Sequence, residues 1–440
     1  MEIILKGIRN RKNQFYWIFL VVIPLGIYYF EVFSISLNIP IWDEYDLALV
    51  WMGDYLGASF QERLTLLLSK SNEHRMVPYR LAVLIDYLIF GEINFRHLII
   101  LGNIGLIGLA FVIFKLNPIF KKKPLLFVPV ILLIFIPQHE IIEWGVVAIS
   151  IIYLYIFVIT SLFFLNKKGN GNFTISIILA IMATFSFGNG MFVFFAGFIV
   201  MFLSQRKSTI HKLIWSIVMI ISITLYFSDY IFFTEATSSH GFIIRPVLNL
   251  QIFLTYFVGF LSPVLKHSPI LFSIVGLVVL VYLGFLFLFK WQYMKNNPVS
   301  ISILFFVLLT GASLAISRVG FGIIAASAPR YILLQVIFIS VLYIISIDIY
   351  KDAGTRVFNV ILFASFALYG IRLYGNIQRL KMDKMERTNG LTSYFFNPNN
   401  TSLDYPNQKK AASILDISIK SGYYKPEEFV QFDLKNKEKK

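Results

Sequence analysis

Residues 15–46 read FYWIFLVVIPLGIYYFEVFSISLNIPIWDEYD, and the order of these residues decides the fold class. Positions 15–36 are apolar apart from Glu31 near their end. Such a run is long enough to cross the roughly 30 Å of a bilayer's hydrocarbon core as a helix. Lys6, Arg9, Arg11 and Lys12 precede it without a small-residue cleavage pattern, so it reads as a retained anchor. Directly after it comes Trp42-Asp43-Glu44-Tyr45-Asp46, a dense knot of carboxylates between aromatic side chains. A transporter would bury its acids inside spans. An acid cluster at a membrane exit points instead to chemistry at the membrane face, because a group that takes a proton from a hydroxyl must be an ionised acid held by rigid neighbours.

Composition agrees with the span. The chain is 57 % hydrophobic and 14 % charged, with 45 phenylalanines and a mean hydropathy of +0.73. That is more apolar surface than a soluble fold of this length hides. There are no cysteines, which excludes disulfides, thiolate zinc sites and cysteine nucleophiles. The net charge of +15 is a topological signal, and no nucleic-acid partner is expected from it.

Apolar runs of about 17 to 25 residues place spans near 15–36, 96–116, 124–139, 145–165, 173–187, 190–204, 211–231, 269–290, 299–317, 331–349 and 356–373. About 11 transmembrane helices in an all-α polytopic membrane protein are therefore expected. The runs at 124–139, 173–187 and 190–204 are short. With the N-terminus inside, Lys115, Lys121–Lys123, Lys167, Lys168, Arg206, Lys207, Lys212, Lys290, Lys295, Lys351 and Arg356 fall in cytoplasmic loops. The short outer loops hold only Arg245, Lys266, Arg318 and Arg330, as the positive-inside rule requires. Counting 248–266 as a span would reverse every later loop, so it is taken as a hairpin or interfacial helix broken near Pro263 and Pro269. The expected location is a cytoplasmic (inner) membrane, with the N-terminus cytoplasmic and the C-terminus outside.

Two regions depart from this pattern of spans and turns. The stretch 37–95 forms a long outer loop with eight acids and four basic residues. Leu47, Val50, Trp51, Leu64, Leu67 and Leu68 recur there at helical spacing, which predicts interfacial helices. The run from Pro78 to Phe90 is too short to span and stops at Gly91, while Asn94 stands where the second span needs a cap. The second region, 373–440, is polar and predicts a tail or small module on the outer face, appended to a transmembrane unit of residues 1–372.

The outer connections collect the polar groups that could bind or react. They are Trp42 to Asp46, Asn72-Glu73-His74-Arg75, Gln138-His139-Glu140 with Glu143-Trp144, Gly188-Asn189-Gly190, and Arg318 leading to Pro329-Arg330-Tyr331. Each also has a plain reading. The acids are solvated loop residues, His74 and Arg75 are caps or headgroup contacts, and Gly188 and Gly190 allow a tight reversal. Arg318 and Arg330 fit a phosphate gripped through paired bonds, or an ordinary lipid headgroup. Gln138, Glu140, Glu143 and Trp144 read equally as substrate contacts or as loop scaffolding. A divalent metal on Asp43, Glu44 and His74 is possible but unsupported by any ligand spacing, and no cofactor is required.

The long first outer loop opening on Trp42-Asp43-Glu44, the following Asn72-Glu73-His74-Arg75 and the late Arg318 with Pro329-Arg330-Tyr331 resemble the bacterial integral-membrane glycosyltransferases of the GT-C fold. The resemblance covers the topology of residues 1–372. It implies inverting transfer of a sugar from a polyprenyl-phosphate carrier to a lipid, glycan or protein acceptor, among membrane lipids at the outer face. Asp43 would be the general base and Glu44 the runner-up. Arg75, Arg318, Arg330 and Tyr331 would hold the donor phosphate. Trp42, Glu73, His74, Gln138, Glu140, Trp144 and Asn189 would line the substrate site. A glycan polymerase or ligase shares the same leaving-group chemistry. A lipid-linked glycan flippase or permease would need charges along the mid-membrane path, where the spans offer mainly Glu31 and Asp229, both near span ends.

Overall fold

The structure is a computed structural model that describes residues 11–71, 74–229, 246–265, 268–350, 354–397 and 401–427. Among these residues every regular element is helical, and the β pairing is limited to isolated bridges between Ser71 and His74 and between Ile93 and Tyr424. Among the described residues eight helices are long and apolar enough to cross a membrane, or nine if a bent pair described below is one span, as expected of an all-α polytopic membrane protein. The first of them covers Ile18–Ile35, and the last lies within Arg356–Phe396.

The three short runs form helices below spanning length: Pro124–Ile134, Asn170–Ser186 and Gly188–Ser204. The first ends at Ile134, before Pro137, and the last opens with the single-turn 3₁₀ segment Gly188–Met191. The ambiguous stretch is two helices, Pro246–Tyr256 and Gly259–Leu265, bent by 77° at their junction. A break of this kind frees backbone carbonyls, and in an apolar setting they need donors. Arg372 supplies them, donating to the Phe260 carbonyl at 2.7 and 3.1 Å and to Ser262 Oγ at 2.8 Å.

Burial sorts the helices into centre and rim. The most apolar windows of Pro329–Ile349 and Gly145–Leu165 are 83 % and 67 % buried inside the protein, against 17 % for Thr209–Phe227. The rim helix therefore presents its Ile210, Leu213, Ile217 and Ile221 outward, as lipid contact demands. Small residues let the central helices close up, since helices in lipid associate mainly through packing. A Cβ added at Gly102 would lie 2.5 Å from that of Ala148.

The long loop is built much as its sequence predicts. Helix Val77–Phe90 carries Pro78 in its first turn and ends at Gly91, whose φ of 75° is left-handed. Asn94 caps helix Phe95–Leu116 by accepting from Arg96 N at 3.0 Å. Helix Phe60–Leu68 opens with a capping box of Ser59 and Glu62. It exposes Phe60, Leu64 and Leu68 at four-residue spacing, an apolar stripe suited to the membrane interface.

The boundary expected at 372 falls inside one continuous helix, Gly354–Phe396. At 43 residues and 1.5 Å per residue it extends about 65 Å, well beyond a bilayer core. Its far half and the following residues 401–427 fold back over the first loop. Tyr424 donates to the Asn38 carbonyl at 2.8 Å, and Glu427 accepts from Arg96 at 2.6 Å and from the Asn38 backbone N–H.

Candidate functional site

The acid knot is shaped by a strained turn. Trp42 has φ of 44°, a conformation that non-glycine residues seldom adopt. It is held there by donation of its backbone N–H to the Asp404 carbonyl at 2.9 Å. The π-helical turn Tyr45–Val50 follows, a widening often found where a chain re-aims functional groups. Together they send adjacent carboxylates to different destinations.

Glu44 points inward and is fully buried. It accepts from Ile41 N at 3.1 Å, Val146 N at 3.0 Å and Tyr79 Oη at 3.2 Å. The second of these lies at the start of helix Gly145–Leu165, so Glu44 ties the first loop to a central helix. Burial pushes its carboxyl up to about 8, against the opposing pull of those donors and of Arg387. Glu44 was the expected runner-up base. Its geometry is that of a structural acceptor with no approach for a substrate.

Asp43 instead lines a cavity of about 730 Å³. Ile41, Trp42, His139, Glu140, Glu143, Trp144 and Arg330 line it with Asp43, together with Arg379, Asp383, Glu386 and Arg387 of the long helix, residues 402–406 and Gln408. The tail thus belongs to the site. Asn376 ties the long helix to the residues before His139–Glu143, donating to the Pro137 carbonyl and accepting from His139 N, each at 2.8 Å.

Charge inside the cavity is ordered by arginine. Arg387 is 2.8 Å from Glu143 Oε1 and 3.4 Å from Asp404 Oδ2, and it is itself buried. Arg379 pairs with Asp383 at 3.0 Å. Arg330 Nε lies 3.2 Å from Glu140 Oε2 without hydrogen-bond geometry. Burial pushes the Glu143 carboxyl up to about 8, with Arg387 opposing and the neighbouring Asp383 adding to the shift. Glu143 Oε2 and Trp144 Nε1 are buried with no hydrogen-bond partner among the described residues.

The remaining expected residues separate from this cavity. His74 stacks on Phe187 with ring centroids 3.7 Å apart, and its Nδ1 accepts from Gly188 N at 3.3 Å. Burial, with Arg318 nearby, holds its imidazole down at about 3. Arg75 is buried, donates to the Tyr226 carbonyl at 2.8 and 3.0 Å, and pairs with Asp229. Asn189 reaches Thr310 Oγ1 at 3.4 Å. Tyr331 turns to Tyr256, with ring centroids 6.4 Å apart, and Arg318 lies over Phe321. Gln138 is buried and starts the short helix His139–Glu143, its carbonyl accepting from Ile141 and Ile142 N. Glu73 lies outside the described residues. Of the four groups expected at the donor phosphate, only Arg330 stands beside Asp43 in the cavity.

Sequence reasoning missed Arg379, Asp383, Glu386, Arg387 and Asp404. The signal available was the i, i+4 spacing of Arg379, Asp383 and Arg387, which puts all three on one face of a helix continuing past 372. No group of three or more His, Cys, Asp or Glu among the described residues could hold a metal ion, and Asp43, Glu44 and His74 do not converge. The cavity can position a hydroxyl against a carboxylate, stack a sugar ring on tryptophan and meet an anion at its rim. Compared with known proteins, the chain matches no protein-family model, no curated protein and no solved structure.

Proposed function

We propose that this protein transfers a sugar from a polyprenyl-phosphate carrier to a hydroxyl-bearing acceptor at the outer face of the membrane. The observation that carries this reading is the cavity that joins Asp43 to Arg330, Trp42 and Trp144. Asp43 takes the proton of the acceptor hydroxyl as its oxygen bonds to the anomeric carbon. The bond from that carbon to the carrier phosphate breaks, and the phosphate leaves with the electron pair, so the configuration inverts.

Charge develops on the departing phosphate, and a cation placed there lowers the barrier. Arg330 supports that role because its side chain is 42 % exposed and it stands at the start of helix Pro329–Ile349. A helix N-terminus also favours an anion. No nucleotide or metal is needed for this chemistry, because the carrier brings its own leaving group.

The test is incubation of the purified full-length protein with a monosaccharide-bearing or an oligosaccharide-bearing polyprenyl phosphate, followed by detection of transferred sugar. Transfer from the monosaccharide carrier is expected, falling about 100-fold to 10,000-fold in Asp43→Asn, the usual worth of a positioned base. Transfer from the oligosaccharide carrier alone would make the protein a polymerase or ligase. Near-normal transfer by Asp43→Asn would remove Asp43 from the mechanism.

A further inference from the structure

We infer that the end of the helix bundle remote from the Asp43 cavity holds a binding site for the phosphate of an anionic membrane lipid. Helix Gly145–Leu165 starts beside that cavity, and its 21 residues carry the chain about 30 Å to the other end. There residues 166–169 pack against residues 205–208. Arg206 donates to the Asn166 carbonyl at 2.9 Å, and Lys207 Nζ donates to the Lys167 carbonyl at 2.8 Å. Five cations, Lys167, Lys168, Arg206, Lys207 and Lys212, stand on these two connections or within a helical turn of them. No Asp or Glu occurs between Glu143 and Asp229. None of the five cations is within ion-pair distance of a carboxylate among the described residues.

Three features separate this cluster from basic loops that only set topology. First, Lys207 is 6 % exposed. Its ammonium carries three N–H donors and a full charge. One carbonyl and the face of Phe173, 5.3 Å away, leave that charge without a counter-ion. A buried cation in this state calls for an anion. Second, helices Asn170–Ser186 and Thr209–Phe227 both begin here, with His211 Nε2 of one 3.1 Å from Asn170 Oδ1 of the other. Their two positive dipole ends reinforce the five side chains. Third, the cluster borders surface that faces lipid. Lys167 lies over Phe163 and Phe164, and Lys212 over Phe202. Phe202, Ile210, Leu213 and Ile217 are exposed beside them. An acyl chain lying along Ile210, Leu213 and Ile217 sets its phosphate among the cations, where Arg206 and the lysines give charge-assisted bonds. A free phosphate gains nothing from that apolar track. The site is independent of the transfer reading.

The test is native mass spectrometry of the full-length protein, delipidated in neutral detergent and titrated with phosphatidylglycerol or phosphatidylcholine. Phosphatidylglycerol is expected to bind at one saturable site at least about tenfold more tightly than phosphatidylcholine. The triple variant Arg206→Gln, Lys207→Gln, Lys212→Gln is expected to lose that preference. The triple variant Lys121→Gln, Lys122→Gln, Lys123→Gln removes the same charge from another, exposed connection and should leave the preference nearly intact. The double variant Lys168→Gln, Lys212→Gln, at positions that are not buried, lowers the preference several-fold and serves if the Lys207 variant does not fold. Equal losses in the two triple variants, or no preference in the parent protein, overturn the inference. Displacement of the lipid by millimolar inorganic phosphate assigns the site to a soluble anion and overturns it as well.

Discussion

Replacing Glu44 separates structural from chemical acids in the knot. Its two oxygens take three donors, two of them backbone N–H groups buried at the start of a central helix and in the Ile41 turn. An amide in its place has one accepting oxygen, so either orientation of Glu44→Gln sets an NH₂ against a buried donor. Each donor stranded in this way costs about 1–3 kcal/mol. Glu44→Ala strands all three, for roughly 3–5 kcal/mol once local relaxation is allowed. The pH dependence has a definite sign. The carboxyl sits near 8 in the fold, against about 4.3 in an unfolded chain. Its contribution to stability is fully present below the unfolded value, declines as pH rises toward 8, and is flat above. A shift of that size corresponds to at most about 5 kcal/mol. Thermal unfolding in detergent should therefore place Glu44→Gln below the parent at pH 5, with the gap narrowing or reversing by pH 9. A constant gap over that range would mean that Glu44 is ionised in the fold. A Gln variant of parental Tm at every pH but without transfer activity would refute the structural assignment and move the base from Asp43 to Glu44.

Other outcomes follow from the same geometry. Arg387→Met leaves the Glu143 and Asp404 carboxyls without their buried partner, which should cost about 3–5 kcal/mol and make 401–407 susceptible to limited proteolysis. Unchanged unfolding and cleavage would show that the arginine does not hold the cavity closed. Arg330→Ala should raise the KM for the carrier more than that for the acceptor, and an unaltered carrier dependence would remove it from the phosphate. A Cβ at Gly190 would fall 1.8 Å from the Ala183 carbonyl oxygen, so Gly190→Ala should prevent recovery of folded protein from membranes. Folded Gly190→Ala at parental yield would contradict the close reversal. His74 is held neutral well below its usual range, so folding should lose stability as pH falls from about 6.5 toward 3. His74→Gln should flatten that decline, and an unchanged acid limb would assign it to other groups.

Local features were legible in the sequence because their causes are local. Pro78, Gly91 and Asn94 mark helix ends through φ angles and missing or added hydrogen bonds, which a neighbour in the chain determines. Apolar length located the long spans for the same reason. The runs at 124–139, 173–187 and 190–204, already short in the sequence, form the helices Pro124–Ile134, Asn170–Ser186 and Gly188–Ser204, and only the first is shorter than its apolar run. The division of Asp43 from Glu44 had no such cue, because adjacent residues in the turn before the π-helix point to different surroundings, and the partners that claim Glu44 include Val146 and Tyr79, far along the chain. The arginines were likewise equivalent as sequence. Packing alone sent Arg75 to Tyr226 and Arg330 to the cavity.

The pairing of Glu427 with Asn38 has a temporal meaning. It joins residues 389 apart, the longest closure described for the chain. Joining ends that distant carries an entropic cost of about 5 kcal/mol before any contact repays it. At ribosomal speeds of about 5–20 residues per second, the first loop waits roughly 20 to 80 seconds for its partner to be made. Through that interval the turn at Trp42 lacks Asp404, and the cavity lacks a wall. The cavity is therefore complete only once the residues around Asp404 have been made, well after the early spans, which insert first without it.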